Sequence, residues 1–186
     1  MKYEIILIAM GLLLLSVYNV TGQNKNNEKD LIGIPFPGMT VEALSGKIIH
    51  YPDSLKGEVA LIMIAFERQT QEKIDTWLEP FSEKYGSIDD VSFYEIPMLK
   101  RRWKLMSGVI DGGMRGGIPQ FRHDNVSTYY GNIDKYKKPL LMEDNSDAYV
   151  FLLDKNGVIQ WYESGPATDE RLALLYKKTE ELRRKN

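Results

Sequence analysis

The sequence predicts an α/β fold: a mixed sheet flanked by helices, with an added β-hairpin near its N-terminal side. Three observations predict it. Val59 to Phe66 is an unbroken run of eight apolar residues, which suits a central strand covered on both faces. Helical periodicity follows, with Ile74, Trp77, Leu78, Phe81 and Tyr85 making one apolar face, and with Leu172, Leu175, Tyr176, Thr179 and Leu182 making another near the C-terminus. Paired short extended runs surround turn residues at Ser45-Gly46 and at Asn156-Gly157, and Asn-Gly is the strongest short hairpin signal.

The elements follow in order. Gln23 to Lys29 holds no apolar residue and reads as part of a flexible spacer over 23–31. Ile34 to Pro37 is extended, because each proline disfavours helix at the residue before it. Thr40 to Leu44 and Lys47 to Tyr51 form the first hairpin, and Val59 to Phe66 the central strand. A helix runs from Gln69 to Tyr85 with Pro80 inside it and Gly86 at its end.

Val91 to Ile96 is a second strand. A second amphipathic helix is expected over Met98 to Ile110, with Leu99, Trp103, Met106 and Ile110 on its apolar stripe. Asp111 to Pro119 is expected to be a glycine-rich loop. Gln120 to Asn145 reads either as helix then loop or with a short strand at Ser127 to Tyr130. Ala148 to Leu153 and Val158 to Tyr162 form the terminal hairpin. Thr168 caps the closing helix, which carries Asp169 and Glu170 at its start and Arg183, Arg184 and Lys185 at its end. One domain is expected over 32–186, with Val59, Leu61, Ile62, Ile64, Phe66, Trp77, Phe81, Val150, Leu152, Leu175 and Leu182 in its core.

The first 22 residues are of a different kind. Lys2 opens the chain, Ile5 to Leu15 is an apolar run of eleven, and Ser16 to Gly22 is small and polar. This is the pattern of a secretory signal peptide over 1–22, with an uncleaved anchor as the alternative. The apolar run is shorter than the roughly 20 residues a spanning helix needs. The expected location is therefore outside the cytosol, periplasmic or secreted.

Composition narrows the chemistry. The 186 residues are 43% hydrophobic and 27% charged, with net charge -2 and no cysteine. That balance supplies no overall field toward nucleic acid. Without a thiolate there is no nucleophile for thiol–disulfide exchange. His123 and Asp124 supply at most two ligands toward the four of a zinc site, so no metal and no cofactor is expected. Ser127, His123 and Asp124 lie too close in sequence for an ordinary catalytic triad. The glycine segment matches neither G-x-G-x-x-G nor G-x-x-x-x-G-K-[ST]. Glu143, Asp144 and Asp147 fail the calcium-loop pattern. Lys100, Arg101, Arg102 and Lys104 crowd one short segment beside Arg115, which suits an acidic partner or anionic headgroups.

The lead-in Leu44-Ser45-Gly46, then Leu55-Lys56-Gly57, then Val59 to Phe66 resembles the redoxin arm of the thioredoxin-like superfamily. Pro80 inside the first helix, and Phe151 to Asp154 followed by Gly157-Val158-Ile159, extend the resemblance over nearly the whole chain after residue 31. The resemblance implies a thioredoxin-like sheet. It also implies thiols within Gln71 to Asp75 and a cis-proline where Ser146-Asp147 stand, and both redox elements are replaced here. Trp77 to Phe81, Met98-Leu99-Lys100, Gly113-Met114-Arg115, Ile159-Gln160-Trp161 and Gly165 to Thr168 further resemble a cysteine-poor thioredoxin-like family that includes a mitochondrial ATP synthase assembly factor. That resemblance implies a chaperone-like role toward a membrane subunit. The secretory-type N-terminus departs from a mitochondrial one.

The reading is an exported, redox-inactive binding or assembly module acting on an envelope protein, such as a subunit of a membrane complex, with peripheral membrane contact also open. Its partner surface is expected to include Arg101, Arg102, Met114, Arg115 and Pro119. Two alternatives stand beside it: an enzyme of non-thiol chemistry using His123 and the Arg115 loop, and a self-associating scaffold.

Overall fold

Seven strands form one sheet in the order β2-β1-β5-β4-β3-β6-β7 in the computed structural model, which describes residues 31–185. The expected signal segment and nearly all of the spacer lie outside the described residues. The strands are β1 (Met39–Ala43), β2 (Ile48–Tyr51), β3 (Val59–Ala65), β4 (Val91–Lys100), β5 (Ser127–Gly131), β6 (Tyr149–Leu153) and β7 (Ile159–Ser164). The helices are α1 (Gln71–Tyr85), α2 (Ser107–Gly117), α3 (Asp134–Lys137) and α4 (Asp169–Arg183). β3 runs parallel to β4 and antiparallel to β6, and β4 runs parallel to β5. The fold class is the expected one.

The apolar run of β3 is buried at every position. Its alternate side chains enter two different cores, as the period of two along a strand requires. Leu61 and Met63 join Ile74, Trp77, Phe81, Val150, Leu152, Leu175 and Leu182 under α1 and α4. Ala60, Ile62 and Ile64 join Phe36, Tyr51, Ile96, Tyr136 and Phe151 on the opposite face. Every residue expected in the core is buried. Leu31, expected as the last residue of the spacer, is only 1% exposed and belongs to the second of these cores.

Directional contacts fix the layers. The buried Trp77 indole donates to the Gly165 carbonyl at 2.8 Å and meets Trp161 edge-on at 5.6 Å, so its one polar atom is satisfied. The Tyr51 and Ser127 hydroxyls share a hydrogen bond of 3.0 Å, joining β2 to β5. Thr168 caps α4 by accepting from the Arg171 backbone N–H.

Two expectations fail between residues 98 and 119. Met98 to Lys100 continue β4 instead of opening a helix, because they pair with Tyr129, Tyr130 and Gly131 of β5. That pairing partner lies some thirty residues away, beyond the reach of a local periodicity. Residues Arg101–Met106 form a 3-10 turn, and the glycine-rich stretch expected as a loop is the helix α2. The proposed apolar stripe does not exist: Leu99 is in the strand, and Trp103 and Met106 are exposed. The strand reading of 127–130 is the one that holds.

Candidate functional site

The first turn of α1 and the segment before β6 meet, as the resemblance to redoxins implies. No thiol is there. Lys73 Nζ lies 2.6 Å from Asp147 Oδ1 and donates to the Ser146 carbonyl at 2.8 Å. Gln71 donates to Asp75 one turn further along α1. The cis peptide bond among the described residues is Tyr51-Pro52, away from this place. An ammonium, an amide and carboxylates can bind and exchange protons, but they carry no two-electron couple.

Beneath this cluster, on β4, is Glu95, only 4% exposed. Its partner is Arg122, whose Nη2 stands 3.6 Å from Oε2. That distance is an ion pair without a hydrogen bond, and Glu95 Oε2 and Arg122 Nε are both left without one. Burial holds the Glu95 carboxyl above the usual carboxylate range, and Arg122 opposes the shift only in part. Sequence reading missed this pair. Its one signal was a glutamate inside the otherwise apolar-rich Val91 to Met98.

The second candidate region is the connection from β4 to β5. It comprises the 3-10 turn 101–106, α2, and a second 3-10 turn at Gln120–Asn125. None of these three elements buries a single residue. The connection is held instead by polar contacts. Arg115 Nε donates to the Leu44 carbonyl at 2.7 Å. Asp111 Oδ1 accepts from the Thr128 hydroxyl at 2.9 Å and from the Tyr130 hydroxyl at 2.8 Å. Between α2 and the strands β1 and β5 lies a cleft of about 380 Å³, lined by Thr40, Glu42, Lys104, Asp111, Arg115 and Tyr130 among others.

The predicted partner residues all fall in this connection. Arg101, Arg102 and Pro119 are exposed. Met114 is half-buried, and its Sδ accepts from Thr128 at 3.7 Å. Arg115 is exposed but holds α2 to the hairpin end. The residues of the enzymatic alternative have separate partners: His123 Nε2 is bonded to the Ile118 carbonyl at 2.9 Å, and Arg115 Nε to the Leu44 carbonyl. Among the described residues no three acidic, histidine or cysteine side chains gather into a metal site.

Sequence reading missed the apolar half of this surface. Leu105 is 96% exposed, Phe121 82% and Val109 71%, with Met106 and Trp103 also exposed. The Arg102 guanidinium lies 5.7 Å from the Trp103 ring centroid. The available clue was that Leu105 and Val109, four residues apart, fall off the stripe of Leu99, Trp103, Met106 and Ile110.

Solved structures share the fold. A protein described as a protein disulfide isomerase from Bacteroides thetaiotaomicron matches 81% of this chain and 89% of its own, with a TM-score of 0.57 and 17% identity. BsSco, a member of the Sco family of cytochrome c oxidase assembly proteins, matches 81% of this chain and 95% of its own, with a TM-score of 0.54 and 14% identity. The exposed lipoprotein thioredoxin of Streptococcus pneumoniae matches 77% of this chain and 99% of its own, with a TM-score of 0.51 and 14% identity. These likenesses establish a thioredoxin-like fold. Among curated proteins none matches the chain. The family model described as ATP10 protein matches residues 27–182. With a thioredoxin-like sheet and a match to that family model over most of its length, this chain belongs to the ATP10 protein family.

Proposed function

We propose that this chain is an assembly factor that acts by binding, outside the cytosol, on a protein of a membrane complex, and that it works without thiol exchange. The single observation that carries the reading is the β4–β5 connection. Its three elements bury nothing, yet it presents cations and large apolar side chains together. A segment that adds no fully buried residue to either core yet exposes large apolar side chains marks an interaction site. Family membership supports the assembly role. The absence of cysteine supports the non-redox part. The signal-like pattern of Met1 to Gly22 supports export. Arg101, Arg102, Met114, Arg115 and Pro119 are assigned to the partner surface.

The test is cross-linking of the tagged full chain in its native envelope, with captured proteins identified. Repeated capture of one membrane complex, lost on Arg101→Glu with Arg102→Glu, is the expected result. These two side chains are exposed and make no contact with the sheet comparable to that of Arg115, so the variant reports on binding and not on folding. Capture unchanged by the double reversal overturns the assignment of the surface. Capture of no membrane protein overturns the assembly role.

A further inference from the structure

We propose that the β4–β5 connection docks peripherally on an anionic lipid bilayer, with the apolar side chains of its outer face entering the headgroup boundary and its cations engaging lipid phosphates. This goes beyond the protein-binding role and does not depend on it.

The charge distribution is local. Residues 100–125 hold six cations, Lys100, Arg101, Arg102, Lys104, Arg115 and Arg122, the last paired with Glu95, against two carboxylates, Asp111 and Asp124, in a chain of net charge -2. Asp111 is turned inward, accepting from Thr128 and Tyr130 of β5, and Asp124 is exposed at the far end of the connection. Helical spacing then orients the rest. Asp111, Met114 and Arg115 lie three and four residues apart and face the sheet, where each has a partner. Leu105 and Val109 are four apart on the outer side, and Gly112, Gly113 and Gly116 continue that side toward the C-terminus of α2. The outer face is therefore apolar at one end and bare backbone at the other. A side chain's Cβ would meet nothing within 4 Å at any of these glycines.

Several features suit a bilayer as the occupant of the outer face, beside the protein partner of the same connection. Leu105, Val109 and Phe121 stand out from the surface at 71% exposure or more. The headgroup boundary accepts protruding apolar chains without a matching hole for each. Apolar residues on one side with Lys and Arg around them are the pattern of an interfacial segment, and Trp103 adds an indole beside Arg102. Among the described residues no helix is long and apolar enough to cross a membrane, so this contact is one of lying on the surface.

The experiment is co-sedimentation of the full chain with vesicles of neutral phosphatidylcholine, or of phosphatidylcholine mixed with anionic phosphatidylglycerol. Two variants of the same full chain are run alongside: Leu105→Ser with Val109→Ser and Phe121→Ser, and Arg101→Glu with Arg102→Glu. All five positions are exposed, and thermal unfolding verifies that both variants remain folded. Wild type is expected to sediment with anionic vesicles about tenfold or more in preference to neutral ones, since each cation contributes near a charged surface. That preference is expected to collapse on moving from about 0.1 M to 1 M salt, where the screening length shortens to about 3 Å. The serine variant is expected to lose binding, and the charge-reversed variant to lose the preference for anionic lipid. Failure to bind anionic vesicles, equal binding to neutral ones, or binding unchanged in both variants overturns the proposal. Cross-linked capture of a protein that survives such a failure leaves the patch a protein surface and the assembly role standing.

Discussion

Lys73 and Asp147 join the first turn of α1 to the segment before β6, at 2.6 Å between Nζ and Oδ1. One residue opens α1 and the other precedes β6, and both are about one-third exposed on their side chains. An ion pair so placed is screened by water and contributes little, on the order of 0–1 kcal/mol. Lys73→Met and Asp147→Asn should each shift the urea midpoint only slightly. A loss above about 2 kcal/mol in either variant would mean that this contact organises the fold.

Glu95 makes stability depend on pH in an unusual direction. Its carboxyl is held above the ordinary range in the folded state, mainly by burial. The folded state therefore binds this proton more tightly than the unfolded chain does. The associated stability is fully present below the unfolded value of about 4.3 and is lost as pH rises through the raised value. Glu95→Gln should accordingly be more stable than wild type at pH 7, with the difference closing toward pH 4. Arg122→Ala should act the opposite way at pH 7, by about 3–5 kcal/mol, because it strands a buried charge. Urea unfolding at the two pH values decides both.

Leu152 tests the central packing. It is fully buried between β3 and β7 on the α1–α4 face. Leu152→Ala should cost about 2–5 kcal/mol in chemical denaturation, as truncation of a packed leucine does.

The glycines of α2 are a further test. Gly112 and Gly116 sit in an exposed helix with open space where a side chain would project and without a positive φ. Gly112→Ala and Gly116→Ala should each stabilise the protein by about 0.4–1 kcal/mol through the unfolded state, read as a raised Tm.

Particular elements show what was legible in the sequence. The eight-residue run at Val59, the Trp77 face and the Thr168 cap are local patterns, and each produced the element expected. Met98 to Lys100 failed because their conformation is set by Tyr129 to Gly131 across the sheet. The α2 stretch failed because five glycines oppose helix locally, at about 1 kcal/mol each relative to alanine, while Asp111 and Arg115 pin the helix from outside. At the site, the cationic half was visible as a cluster in sequence. The apolar half was not, because Trp103 and Met106 at helical spacing read as a buried stripe until the strand boundary at Lys100 is known.

A connection that buries nothing is also one that can come loose alone. Its opening strips no fully buried residue of its own from the core and parts the ion pair of Glu95 with Arg122, so local unfolding of residues 101–125 should need less free energy than unfolding of the whole sheet. Arg101, Arg102, Lys104 and Arg115 put trypsin sites along it. Brief digestion should nick the chain there first, yet β4 and β5 remain paired to β3 and β1. The two fragments should therefore stay together as one folded particle, parting only in denaturant.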